Sequence, residues 1–137
     1  MLYRLKLRVY YEDTDAGGIV YHARYLAFAE RARTEALREA GAPHDELVTQ
    51  FGLIFVVRRI KMDYLRPVRL DAEMVVETGP WLLKGASVDV EQRFTVEGEQ
   101  TCRLSVGLAC IRTSDGRPAR IPQRWRDALG GAGGEST

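Results

Sequence analysis

Apolar and polar side chains alternate at the start of the chain, which predicts a half-buried strand over residues 2–11. Leu5, Leu7 and Val9 form the apolar face of this strand, with Lys6 between the first pair and Arg8 between Leu7 and Val9. Strand patterns bounded by turn residues return later in the chain. They cover residues 53–65, 72–83, 86–96 and 101–112.

A spacing of three and four residues replaces the alternation between Ala23 and Ala40, which predicts one long helix with an apolar stripe. Much of the stripe is alanine, so another element can approach the helix closely. Gly41, with Pro43 beyond it, is a strong stop signal for this helix.

The other segments complete the predicted fold. Short helices are predicted over residues 44–51 and 122–129, and residues 130–137 read as a disordered tail. Strands joined by short turns give an antiparallel sheet with one apolar face, and the long helix is available to cover that face. We therefore predict one α+β domain over residues 1–129, a sheet wrapped on a helix.

Charge and hydrophobicity argue against several classes of function for this protein. The 137 residues carry 20 basic and 19 acidic side chains, a net charge of +1. This balance argues against a nucleic-acid reader driven by bulk charge. No apolar run is long enough to span a membrane, and the charged, alternating first residues do not resemble a signal peptide.

Two cysteines are too few for a disulfide scaffold or a thiolate metal site. In an extended strand, Cys102 and Cys110 would share a face about 26 Å apart, which is too far to bridge. The expected compartment is the reducing cytoplasm.

The segment from Asp13 to His22 carries the candidate chemistry. It places carboxylates, paired glycines and an imidazole immediately before a predicted helix start, where unpaired backbone N–H groups and a partial positive charge are exposed. Such an end can hold a developing oxyanion, and a nearby carboxylate can act as base or nucleophile. This pattern favours acyl transfer, although the same residue types are more often a simple turn and helix cap.

The longer string YYEDTDAGGIVYHARYLAFAERARTEAL closely resembles the hotdog-fold acyl-CoA thioesterases of the 4-hydroxybenzoyl-CoA thioesterase family. It is most similar to the bacterial branch associated with the Tol–Pal cell-envelope system. The resemblance continues through FVVRRIKMDYLRPVRLDAE and covers roughly residues 5–112. Its most specific element is the pattern D-x-D-x-x-G-x-V-Y-H leading into a helix.

This resemblance implies a hotdog fold, a five-stranded antiparallel sheet wrapped around one long helix. It also implies homodimers or homotetramers with active sites between protomers, and no metal or organic cofactor. The family's catalytic carboxylate falls on Asp15, and His22 matches a histidine of the Tol–Pal-associated branch. A backbone N–H near His22 would polarise the thioester carbonyl.

Three further residues are candidates for substrate binding, each with a plainer alternative. Arg58 would lie on the apolar face of a regular strand, where it either meets substrate phosphates or forms an ion pair with Glu30 or Glu35. The resemblance places coenzyme contacts near Lys84, which is otherwise a solvated turn residue. Tyr21 lines the acyl pocket or packs in the core.

The sequence as a whole predicts an enzyme that hydrolyses an acyl-CoA or acyl-carrier-protein thioester to a free acid and a thiol. Two alternatives remain open at this point. One is an acyl-CoA hydratase or dehydratase on the same scaffold, although the D-x-N-P-x-H string of those relatives is absent. The other is a non-catalytic acyl-thioester binding protein. The acyl group itself is not specified by the sequence.

Overall fold

The computed structural model describes residues 2–130. The segments predicted as strands and helices all form, within a few residues of the expected bounds. In chain order they are β1 (Tyr3–Arg8), α1 (Arg24–Glu39), α2 (His44–Phe51), β2 (Leu53–Tyr64), β3 (Glu73–Leu83), β4 (Ser87–Val96), β5 (Glu99–Arg112) and α3 (Gln123–Gly130). Of the predicted tail, Gly130 closes α3 and residues 131–137 lie outside the described residues.

The five strands form one antiparallel sheet in the order β1-β3-β4-β5-β2. This arrangement confirms the predicted α+β class, with β1 and β2 at the two edges. Pro80 lies in β3 just beyond Thr78, the last residue that pairs with β1, so the strand is flanked on one side only at the proline. Within residues 2–130, no helix is both long and apolar enough to cross a membrane.

One face of the sheet is buried against α1. Gly41 ends α1 as predicted, with a positive φ of 80° that glycine adopts without steric cost. The buried side chains of α1 are Tyr25, Phe28, Ala29, Ala32, Arg33, Ala36 and Leu37. Those of the central strands include Met74, Val76, Val88, Val90, Phe94, Leu104 and Val106.

A β-bulge in β2 overturns one sequence-based expectation. The pairing with β5 shifts register between Val57 and Arg59, so Arg58 is the extra residue and is exposed. The shift reverses the faces, because one inserted residue moves every earlier side chain to the other side of the sheet. The expectation of a regular strand, in which Arg58 would share an apolar face with Ile54 and Val56 before it and Ile60 after it, is therefore wrong.

The same bulge removes the predicted ion pair of Arg58. Arg58 forms no salt bridge with any residue of the described range 2–130, and Glu35 pairs instead with Arg38 at 2.7 Å. A charged side chain on an apolar face needs either an oppositely charged partner or access to solvent. The bulge removes the need for a partner, because it exposes the Arg58 side chain to solvent.

Both cysteines are buried and free. Burial raises the pKa of the Cys102 thiol to about 12 and that of Cys110 to about 11. We expect a disulfide reagent at about pH 8 to leave both thiols of the native protein unmodified over minutes, because the reactive thiolate is scarce and inaccessible. The denatured chain is the control and should titrate two thiols. Rapid reaction of the folded protein would contradict this expectation.

Candidate active site

The loop before α1 is a tight, ordered structure. Thr14 pairs with Val20 across it, and the Gly18 N–H donates to the Asp15 carbonyl at 3.0 Å. Gly18 has a positive φ of 80°, a conformation that other residues rarely adopt. The Val20 N–H donates to the Val68 carbonyl at 2.8 Å. The glycines thus close a turn that is docked onto the segment before β3.

Asp15 lies in this turn with an exposed carboxylate. Its Oδ1 accepts hydrogen bonds from the Gly17 N–H at 2.9 Å and the Ile19 N–H at 3.4 Å. Its Oδ2 accepts no hydrogen bond from residues 2–130. One oxygen therefore fixes the side chain in an Asx-turn, and the other is available for chemistry.

Asp13, two residues earlier, has a structural role. It is 3% exposed, and its carboxylate accepts hydrogen bonds from Arg24 Nε at 2.7 Å and the Tyr10 N–H at 2.8 Å. Its carbonyl accepts a hydrogen bond from the Tyr21 N–H at 2.9 Å. Asp13 therefore joins the strand side of the loop to the first residue of α1. Both carboxylate oxygens of Asp13 are thus occupied, in contrast to those of Asp15, the residue on which the family resemblance places the catalytic carboxylate.

Unpaired donors remain at the start of α1. The Arg24 N–H donates to the Tyr21 carbonyl at 2.8 Å, and Ala23, the N-cap residue, has no side chain that could cap the helix. Among residues 2–130, the backbone N–H groups of His22 and Ala23 find no acceptor. Such orphan donors at a helix start favour negative charge nearby.

A cavity of about 280 Å³ adjoins this helix start. His22, Tyr25 and Tyr64 line it with residues of the loop before α1 and of the segment that follows β2. The Tyr64 hydroxyl donates to the His22 carbonyl at 2.9 Å, which ties the end of β2 to the start of α1. Asp15 is not among the lining residues, so within one protomer the carboxylate lies outside the cavity that His22 lines.

The tyrosines of this cavity keep their protons at neutral pH. Burial, with smaller contributions from Cys102 and Tyr64, raises the pKa of Tyr25 to about 12. Burial also raises the pKa of Tyr64 above its usual value. Both hydroxyls therefore stay protonated, and that of Tyr64 donates to the His22 carbonyl. Nothing in the sequence singled out Tyr64, which reads as one more residue on an apolar strand face.

The remaining predicted site residues are dispersed. The Tyr21 side chain is 49% exposed and its ring lies 4.6 Å from the His22 ring, centroid to centroid. Arg58 is on the β2 bulge, and Lys84 is in the turn between β3 and β4 with its Nζ 3.5 Å from Asp89. The structure therefore brings Tyr21 to His22 and leaves Arg58 and Lys84 as exposed cations elsewhere.

The environment of the other histidine, His44, makes the free energy of unfolding depend on pH. Its Nε2 accepts a hydrogen bond from the Phe55 N–H at 3.1 Å, and burial lowers its pKa below the ordinary 6.5. The folded protein therefore binds fewer protons than the unfolded chain below about pH 6.5. The free energy of unfolding should fall as the pH drops through that value.

Urea unfolding at about pH 7.5 and about pH 5.5 checks the His44 prediction. His44→Gln retains an acceptor for the Phe55 N–H but has no proton to gain, so its stability should fall less over this interval than that of the wild type. His22→Gln is the matched control and should keep the wild-type loss. An equal loss in His44→Gln would exclude His44 as the cause.

Comparison with known proteins gives one consistent family. A family model described as the thioesterase-like superfamily matches residues 9–129. The chain is 42% identical over 123 residues to the acyl-CoA thioesterase YbgC of Haemophilus influenzae, covering 90% of each protein. A probable thioesterase from Bartonella henselae has a TM-score of 0.84 at 35% identity, over 89% of this chain and 100% of that one.

A more distant structure supports the fold alone. The 1,4-dihydroxy-2-naphthoyl-CoA thioesterase Slr0204 from Synechocystis has a TM-score of 0.89 at 16% identity, over 98% of this chain and 100% of that one. The sheet that wraps one long helix is therefore the hotdog fold expected from the sequence.

Proposed function

The chain belongs to the thioesterase-like superfamily, and from this membership we propose that it hydrolyses acyl-CoA thioesters to a free acid and coenzyme A. The observation that carries the proposal is the helix start, where the free N–H groups of His22 and Ala23 lie next to a cavity and close in sequence to the exposed carboxylate of Asp15. An acyl transfer site needs these parts: donors for an oxyanion, a base or nucleophile, and space for the acyl group.

The reaction follows from this arrangement. The thioester carbonyl oxygen points at the N–H groups of His22 and Ala23, which stabilise the negative charge that forms on it. One such donor is typically worth about 10²–10³ in rate. Asp15 either takes a proton from an attacking water or attacks the carbonyl itself, giving an anhydride that water then hydrolyses. The carbon–sulfur bond breaks, the thiolate gains a proton, and the acid leaves. His22 orients the water or supplies that proton.

Coenzyme binding is assigned to cations outside the cavity. Arg58 is the stronger candidate for a phosphate contact, because it is exposed and forms no salt bridge within residues 2–130. Lys84 is 66% exposed, but it shares Asp89 with Arg59. Tyr21 lies beside His22 and borders the acyl group. Loss of these contacts should raise KM for acyl-CoA more than it lowers kcat.

The acting species is a homodimer or homotetramer formed through β2. This strand is an edge of the sheet, and Val57, Ile60 and Tyr64 expose 47%, 38% and 51% of their surface along it. An exposed apolar edge strand is a template for pairing with a second strand. Such pairing between protomers would bring further residues to the site. Light scattering should give a mass of two or four chains, and Ile60→Lys should give monomers with reduced turnover.

The compartment assigned is the cytoplasm. The two unpaired, buried thiols fit a reducing environment, in which disulfides are rare. An acyl carrier protein is a second possible donor of the thioester, since it presents the same reacting bond.

The test is a panel of acyl-CoAs of increasing chain length, each compared with the matching acyl-carrier-protein thioester. Free thiol should be released from at least one series, and the chain-length profile then defines the acyl pocket. Tight binding without thiol release across the panel would replace the hydrolase by an acyl-thioester binding protein. Hydration of crotonyl-CoA without thiol release would replace it by a hydratase.

A further inference from the structure

A buried arginine lies in the middle of α1 with most of its donors unused. Arg33 is 8% exposed, and its Nη1 donates to Gln92 Oε1 at 2.9 Å. Gln92 is fully buried and is fixed in turn, because its Nε2 donates to the Ala29 carbonyl and to Thr78 Oγ1, both at 2.9 Å. This network holds the guanidinium in place with a neutral partner.

The charge of Arg33 has no salt-bridge partner in the part of the chain that the structure describes. Within residues 2–130 Arg33 forms no salt bridge, and its Nε and Nη2 donate to no acceptor. A buried cation is costly unless it is paired, and an arginine fork prefers a carboxylate or another oxyanion. Burial accordingly lowers the pKa of Arg33, and Glu30 opposes the effect only in part.

Arg33 lines a second cavity, of about 100 Å³, that is separate from the cavity at His22. Trp81 lines it too, and the indole N–H of this buried side chain has no acceptor in residues 2–130. The Nε2 of His44, another lining residue, already accepts from the Phe55 N–H, so the neutral ring carries its proton on Nδ1. Arg33 and His44, which both have unused donors, therefore border one small space, and the Trp81 ring adjoins it.

The rest of this cavity wall sets the shape of a ligand. Leu37, Phe55, Val57 and Leu108 make much of it apolar, the space is open to solvent, and the exposed Glu30 is among its lining residues. A cavity of this size holds about four to five heavy atoms, judged against the 150 Å³ that binds benzene. A carboxylate with one or two carbons attached fits both the donors and the volume.

We propose that the cavity between Arg33, Trp81 and His44 binds the carboxylate of a small organic acid, with the apolar wall contacting its short carbon chain. The guanidinium supplies the charge, and its Nε and Nη2 supply the two donors. The carboxylate accepts these hydrogen bonds through its two oxygens. Glu30 at the rim weakens the binding by like-charge repulsion. Val57 of this wall also lies on the β2 edge through which the protomers are proposed to pair, and the acid product of thioester hydrolysis belongs to the same chemical class.

The indole N–H of Trp81 makes the proposal directly measurable. In ¹⁵N-labelled wild-type protein titrated with sodium propionate, the Trp81 indole resonance should shift in a saturable manner. The resonance of Trp125, whose indole N–H lies outside this cavity, should stay in place. Trp81→Phe assigns the signal. Propionamide has the same shape without the charge and should cause no saturable shift, and sodium chloride at equal concentration controls for ionic strength.

Two variants test the charges. Arg33→Met should weaken propionate binding about 10–100-fold, the loss expected for hydrogen bonds to a charged group. Arg31→Met, an exposed neighbour on α1, is the matched control and should bind as the wild type does. Glu30→Gln removes the negative charge at the rim and should bind propionate several-fold more tightly.

Several results would overturn the site. These are an unmoved Trp81 signal, an equal response to propionamide, and wild-type affinity in Arg33→Met. If Arg33→Met does not fold, the Glu30→Gln variant tests the proposal alone, since Glu30 is exposed. Unchanged or weaker propionate binding in Glu30→Gln would then contradict the proposal. An unmoved Trp81 signal would mean that the cavity holds water only. Since every arm measures binding rather than turnover, failure here leaves the hydrolase proposal intact, and the reverse also holds.

Discussion

Replacing Asp15 by asparagine is expected to lower the rate of thiol release from acyl-CoA by about 10²–10⁴-fold, the range typical for loss of a general base. Asparagine retains the Oδ1 atom that accepts hydrogen bonds from the Gly17 and Ile19 N–H groups, so the turn should persist. What the variant lacks is the negative charge on the free oxygen. The free energy of unfolding should therefore change little while catalysis nearly stops.

The chain contains a matched control for this substitution. Asp115 occupies the same kind of turn, with its Oδ1 accepting from the Arg117 N–H at 3.0 Å, and it is also exposed. Asp115→Asn should keep wild-type turnover, since this carboxylate lies far along the chain in the turn after β5. Thiol release is followed with a disulfide reagent, which the buried cysteines of the enzyme do not consume. Unimpaired turnover in Asp15→Asn would remove Asp15 from the mechanism.

The elements of the fold were predictable because each has a local signal. The alanine stripe of α1 and the alternation in β4 indicate which side of each element faces the core, and Gly41 indicates where α1 ends. The bulge in β2 has no such signal. A strand with apolar residues on both faces reads equally well in either register, so the fate of Arg58 was decided by pairing with β5.

Among the candidate functional residues, too, those with a local sequence signal were predictable and those joined only by tertiary contacts were not. Asp15 and His22 could be proposed from the sequence because their spacing around paired glycines is specific and lies within one segment. The Arg33–Gln92 network was missed because it joins residues 59 positions apart. A signal did exist for each partner. Gln92 broke the alternation of β4, and Arg33 lies four residues after Ala29 and three before Ala36, which places it on the apolar stripe. That Arg33 contacts Gln92 follows only from the packing of α1 on the sheet, which the sequence pattern does not specify.

Replacing Asp13 by alanine is expected to destabilise the protein by about 3 kcal/mol, because removal of one partner of a buried ion pair leaves the other uncompensated. Asp13 is buried, and two donors depend on it: Arg24 Nε and the Tyr10 N–H. The backbone donor is only part-buried and Arg24 is 33% exposed at its side chain, so solvent replaces part of what is lost. The midpoint of urea unfolding measures the effect.

An exposed ion pair provides the comparison for Asp13. Asp63 and Arg103 bridge neighbouring strands at 3.2 Å with about half of each side chain in solvent. Asp63→Ala should cost no more than about 1 kcal/mol. In protein that remains folded, Asp13→Ala should also lower turnover, because Arg24 and the Tyr10 N–H lose the carboxylate that holds the loop at the start of α1. Stability equal to that of Asp63→Ala would mean that the loop presenting Asp15 is held by its backbone hydrogen bonds rather than by Asp13.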